Sequence, residues 1–60
     1  MSFPTFLSVA DVAEVLYVSK MTVYRMVENG ELPALKINKR TYRIRQEDLD
    51  AYIAANMTRN

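Results

Sequence analysis

Two serines organise the first half of this chain. Ser8 stands before Val9, Val12, Ala13 and Leu16, an i, i+3, i+4, i+7 series that predicts one apolar face of a short helix. Asp11 follows Ser8 by three residues, where a carboxylate can answer a free backbone N–H, close to a capping box. Ser19 opens a second segment in the same way, with Thr22 on its first turn and Val23, Met26 and Val27 as its buried stripe. Asn29-Gly30 then supplies a stop, because glycine takes positive φ at little cost. Only two or three residues separate the two segments. Spacing and capping chemistry together predict a helix-turn-helix.

Beyond Gly30 the period changes. Pro33 ends any helical pattern nearby. Leu35, Ile37, Tyr42 and Ile44 alternate with Lys36, Arg43 and Arg45 across a polar break, Asn38 to Thr41. With Lys39 and Arg40 at the tip, Ile37 is expected to face Tyr42 and Leu35 to face Ile44, and Asn38 to tolerate a left-handed backbone. Leu49, Tyr52 and Ile53 predict a third helix, opened by the carboxylates Glu47 and Asp48 and ending near Ala55-Asn56. An isolated hairpin is marginal in water, so the helices must supply the surface on which it rests. The expected architecture is mostly α with a small β-hairpin. It is a winged helix-turn-helix (helix, helix, two-stranded wing, helix), read as one domain over residues 1–60 with its core in 7–56. Phe3 and Phe6 are expected to cover one end of that core or to meet a neighbouring copy.

Charge is distributed unevenly along this frame. The formal net charge is +1, yet residues 36–45, KINKRTYRIR, hold five cations and no acid. Protecting a short sheet edge needs one or two lysines. Lys36, Lys39, Arg40, Arg43 and Arg45 crowded together repel one another unless an anion is bound, which points to a polyanion partner. On the second helix, about 100° per residue puts Met21, Arg25 and Glu28 opposite the buried Val23–Val27 side. Thr22 and Tyr24 flank that face, and Lys20 sits at its exposed start. A helix fits the major groove of double-stranded DNA, where arginine can pair with guanine through two hydrogen bonds and a methionine can lie against a thymine methyl. Lys20, Thr22 and Tyr24 suit phosphate oxygens. The blander alternative for the same face is a solvated helix surface.

Several function classes fit poorly. The chain has no cysteine and no histidine, so disulfides, thiolate metal sites and the usual general base are missing, and it has one glycine, too few for a phosphate-cradling loop. Glu47, Asp48 and Asp50 read as a helix start and a solvated face rather than a catalytic pair. No catalytic residue, cofactor or metal ligand is expected, and the chain is not read as an enzyme. No apolar run approaches the roughly 18 residues that span a bilayer, and the N-terminus lacks the basic start and apolar core of a signal peptide. A cytoplasmic, bacterial, nucleoid-associated location is the expectation.

With these features in place, residues 7–53 resemble the excisionase-type, MerR-like winged-helix family. The resemblance rests on VSKMTVYR (18–25), GELPA (30–34) and RTYRI (40–44) followed by an acidic helix start. It implies a second helix that enters the major groove, and a wing that reaches the neighbouring minor groove or backbone. Residue by residue, it places Ser19, Lys20, Met21, Thr22, Tyr24 and Arg25 on the recognition helix and Lys39, Arg40 and Arg43 on the wing. Tyr17 and Asn38 stand where the family often has glycine, and Arg45 where it often has proline, adding a cation beside the wing. A free-standing domain of this size resembles a recombination directionality factor, which binds repeated DNA sites beside copies of itself and helps an integrase run excision. The alternatives are a small transcriptional regulator on repeated operators and a basic module that meets an acidic protein. No small-molecule effector is expected.

Overall fold

The computed structural model describes residues 4–58. Phe3, expected to cover the core, and Arg59-Asn60 of the expected frayed tail lie outside the described residues. The element order is β1 (Phe6–Ser8), α1 (Val9–Leu16), α2 (Lys20–Glu28), β2 (Leu35–Asn38), β3 (Thr41–Arg45) and α3 (Gln46–Asn56). The three strands form one antiparallel sheet in the order β1-β3-β2. Helix, helix, wing and helix therefore stand as the sequence predicts, with one strand more than expected. Phe6, Leu7 and Ser8 pair with Arg45, Ile44 and Arg43. The wing is thus tied back to the start of α1 instead of being held by its own turn alone.

Both serine caps form. The Ser8 N–H donates to Asp11 Oδ2 and the Asp11 N–H donates to Ser8 Oγ, each at 3.0 Å, a reciprocal capping box. These bonds hold the Asp11 carboxyl below its ordinary pKa, first through the Ser8 backbone and then its hydroxyl, with a smaller contribution from Arg43. The Thr22 N–H donates to Ser19 Oγ at 3.2 Å.

The two helices also end alike. After α2, Gly30 has φ +79°. Its N–H donates to the Val27 carbonyl at 3.1 Å, and the Glu31 N–H donates to the Met26 carbonyl at 2.9 Å. This pair of bonds is a Schellman closure. After α1 the same pattern recurs, with the Tyr17 N–H on Glu14 and the Val18 N–H on Ala13, at 3.3 and 3.0 Å. Here the left-handed position belongs to Tyr17, at φ 56° and ψ 45°. The turn keeps its glycine geometry without the glycine.

Every helix contributes to the core. Val9, Val12 and Ala13 come from α1, Val23 and Met26 from α2, Ile44 from β3 and Leu49 from α3, with Leu32 inserted from the connector. The Leu32 N–H also donates to the Met26 carbonyl, so the end of α2 folds this residue inward. Val27, Tyr52 and Ile53 pack against the cluster while partly exposed.

The wing departs from its expected register. Leu35 pairs with Arg43, Lys36 with Tyr42 and Asn38 with Thr41, and Ile37 is the extra residue of a bulge. Ile37 therefore does not face Tyr42 and Leu35 does not face Ile44; they are 55% and 52% exposed. Ile44 is the wing's buried anchor. Asn38 is not left-handed either, since Tyr17 is the one non-glycine residue with positive φ among the described residues. Its Oδ1 instead accepts the N–H groups of Arg40 and Thr41, both at 3.1 Å, and this side-chain turn closes the tip at Lys39-Arg40.

Candidate nucleic-acid interface

Two adjoining grooves lie between α2 and the wing. One, of about 400 Å³, is lined by Met21, Tyr24, Glu28, Lys39, Arg40 and Tyr42. The other, of about 230 Å³, is lined by residues that include Lys20, Tyr24, Arg40, Thr41, Tyr42 and Arg43, and reaches the start of α1 at Ser8–Ala10. Tyr24, Arg40 and Tyr42 belong to both. Lys20 and Met21 from the helix and Lys39, Arg40 and Arg43 from the wing are thereby brought onto one continuous surface.

A tyrosine pair sets the angle between helix and wing. The Tyr24 and Tyr42 rings meet edge to face, with centroids 6.1 Å apart and planes at 64°. The Tyr24 hydroxyl donates to the Arg40 carbonyl at 3.5 Å, a long bond that still directs the ring at the wing tip. Tyr24, expected as a phosphate contact, thus first serves to position Arg40.

The groove cations stand outside the ion pairs. Among the described residues the ion pairs are those of Arg45, with Glu47 at 3.0 Å and Asp48 at 2.8 Å. Lys20, Lys39, Arg40 and Arg43 form none. The Arg43 guanidinium donates to the neighbouring Tyr42 carbonyl at 2.9 Å, which fixes its stem and leaves donors over.

The remaining expected site residues fall in different places. Ser19 and Thr22 are occupied with each other, hydroxyl to hydroxyl at 3.0 Å, and with the helix cap. Arg25 is exposed on α2 and Lys36 is exposed on β2, outside both grooves. Arg45, expected to add a cation to the wing, is held at the far end of β3. Its Nε and Nη2 donate to Asp48 at 2.8 and 3.1 Å. Those bonds and the charges of Asp48 and Glu47 raise its pKa above the ordinary arginine value. The i, i+3 spacing of Arg45 and Asp48 across the start of α3 was the sequence signal for this pairing. Sequence reasoning placed Glu28 on the exposed face but gave it no role, although it lines the larger helix–wing groove.

A family model described as a helix-turn-helix domain matches residues 6–57. The chain belongs to this helix-turn-helix family, in keeping with the excisionase-type resemblance of its motifs. Two similar proteins come from Mycobacterium tuberculosis, strains CDC 1551 / Oshkosh and ATCC 25618 / H37Rv, and their names designate them candidate DNA-binding proteins. Each is 58% identical over 38 residues, which cover 63% of this chain and 47% of the relative. The matched stretch thus spans about half the length of these relatives.

Proposed function

We propose that the protein binds double-stranded DNA, with α2 in the major groove and the wing on the adjacent minor groove or backbone. The observation that carries this reading is the convergence of four cations, Lys20, Lys39, Arg40 and Arg43, on one helix–wing surface where none forms an ion pair among the described residues. Four like charges held together and outside any ion pair favour a bound polyanion. A lattice of phosphates supplies one at the spacing of a helix and a wing. Family membership and the names of the relatives support the same reading. Met21 and Arg25 then meet base edges, Arg25 by two hydrogen bonds to guanine, while the groove cations, and the one hydroxyl hydrogen that the Ser19–Thr22 pair leaves over, serve phosphates. Lys36 lies farther along the wing for a longer contact. Arg45 keeps its carboxylates and contributes to the start of α3.

Within this reading the protein acts as a recombination directionality factor. Several copies bind adjacent sites, bend the duplex and favour excision by a partner integrase, inside a bacterial cell. Bending a site by roughly 40–90° costs about 1–6 kcal/mol, which several copies bound side by side can supply. No bond-breaking chemistry is assigned to the chain, and no helix among the described residues is long and apolar enough to cross a membrane.

Electrophoretic mobility on duplexes flanking the encoding gene tests this. The expected result is stepwise retardation with altered curvature, weakened steeply by salt. Failure to retard any duplex in dilute buffer overturns DNA binding. Footprints confined to an attachment-type site support excision, and footprints across promoters would assign the same fold to transcription instead.

A further inference from the structure

Glu28 is hard to explain by folding. It is the last residue of α2, where a negative charge opposes the helix macrodipole. It is exposed, and no cation among the described residues lies within ion-pair distance of it, although it lines a groove with Lys39 and Arg40. Neither packing, capping nor pairing benefits from a carboxylate here. For a surface that merely gathers phosphates, an anion among the cations is a defect.

A surface that must discriminate can use it. Resting on the DNA-binding reading above, we infer that Glu28 is a specificity-determining residue that accepts a hydrogen bond from the exocyclic amine of a cytosine in the major groove. It shares the exposed side of α2 with Met21 and Arg25, one helical turn beyond Arg25. In the major groove cytosine presents its N4 amine as a donor, whereas adenine sets the acceptor N7 beside its N6 amine, and a carboxylate is repelled by that acceptor. The same charge repels a phosphate that slides into the groove in a wrong register. Lys39 and Arg40 line the wing side of the same groove without pairing with the carboxylate, which leaves it free to face the bases. Attraction to the backbone then comes from the wing, and rejection of wrong sequences comes from the end of the helix.

The test begins with selection from a random duplex pool by the unaltered protein, which defines a preferred site. Glu28→Ala and Glu28→Gln are then titrated on that site and on its scramble at one ionic strength, with circular dichroism confirming the helices. Glu28→Ala is expected to weaken the preferred site by about 5- to 150-fold, the range of one lost base contact, while leaving the scramble unchanged or bound more tightly. Glu28→Gln is expected to move the preference at one position from cytosine towards adenine, the base that glutamine pairs with in two bonds. Equal shifts on both duplexes, or an unchanged consensus on reselection with Glu28→Gln, overturn the assignment while leaving DNA binding intact. Retention of no duplex by the unaltered protein overturns DNA binding itself, and the role of Glu28 with it.

Discussion

Strand β3 carries an arginine on either side of its buried residue, and the two are used differently. Arg43, towards the wing tip, opens onto the groove shared with Lys20 and Arg40 and forms no ion pair among the described residues. Arg45, two residues on, is clasped by Asp48 and Glu47 at the start of α3. Between them Ile44 is fully buried. Residue type and sequence distance are nearly the same at both positions. What separates them is the neighbouring element: on one side the start of α1, whose Asp11 carboxylate is engaged by the Ser8 cap and makes no ion pair with Arg43, and on the other a helix that opens with two carboxylates that clasp Arg45. The five cations of residues 36–45 are therefore not one functional unit, and only those without an internal anion are free for an external one.

The largest expected effect removes the frame that keeps the two ends apart. Ile44→Ala should destabilise the domain by about 2–5 kcal/mol, as deleting a buried aliphatic side chain does. Urea unfolding would measure it. With eight buried core residues among those described, that loss is a large part of the total. A cost well under 1 kcal/mol would show that the sheet does not depend on Ile44.

Specificity is the next effect in size. Arg25→Ala should cost about 1–3 kcal/mol on the preferred duplex and little on a scramble. Titrations on both duplexes check it, and an equal loss on the two would assign Arg25 to phosphate instead.

Much of this layout was legible in the sequence, and the failures have physical causes. Ser8, Ser19 and Asn29-Gly30 act through contacts three or four residues away, so the helix ends could be read locally. The strand at Phe6–Ser8 could not. Three residues are too few to show alternation, and their partner strand lies more than thirty residues on. Alternation also misled at Ile37, because a bulge breaks the period of two and turns an apolar residue outward. Leu32 sits in a connector with no period at all, and only the closure after α2 brings it into the core. The convergence of helix and wing followed from expected faces, but the Tyr24–Tyr42 contact that fixes it joins elements whose relative orientation no local pattern encodes.

A smaller effect concerns the two alike helix ends. Tyr17 holds a left-handed conformation with its side chain 96% exposed, so its ring recovers almost nothing by packing. A non-glycine residue there costs on the order of 1–2 kcal/mol. Tyr17→Gly should accordingly raise stability by about 1 kcal/mol, less whatever the freer unfolded chain takes back. Thermal unfolding would show it, and a lower midpoint would mean that the Tyr17 ring contributes to the fold.

The smallest effect lies at acid pH. The Asp11 carboxyl is held below its ordinary value by its bonds to Ser8, so the cap stabilises fully above that value and is lost as pH falls through the lower folded one. Asp11→Asn should flatten the acid limb of a stability–pH curve and leave its neutral region lower. Parallel acid limbs in the two proteins would contradict the cap's role.

The division of labour along β3 is tested most directly by the salt dependence of DNA binding in two variants. Four phosphate contacts correspond to a slope of about −4 in log K against log salt. Arg40→Ala should flatten that slope by about one, and Arg45→Ala should leave it unchanged. Equal flattening in both variants, or a larger change for Arg45→Ala, would contradict a free groove at one end of the strand and a closed ion pair at the other.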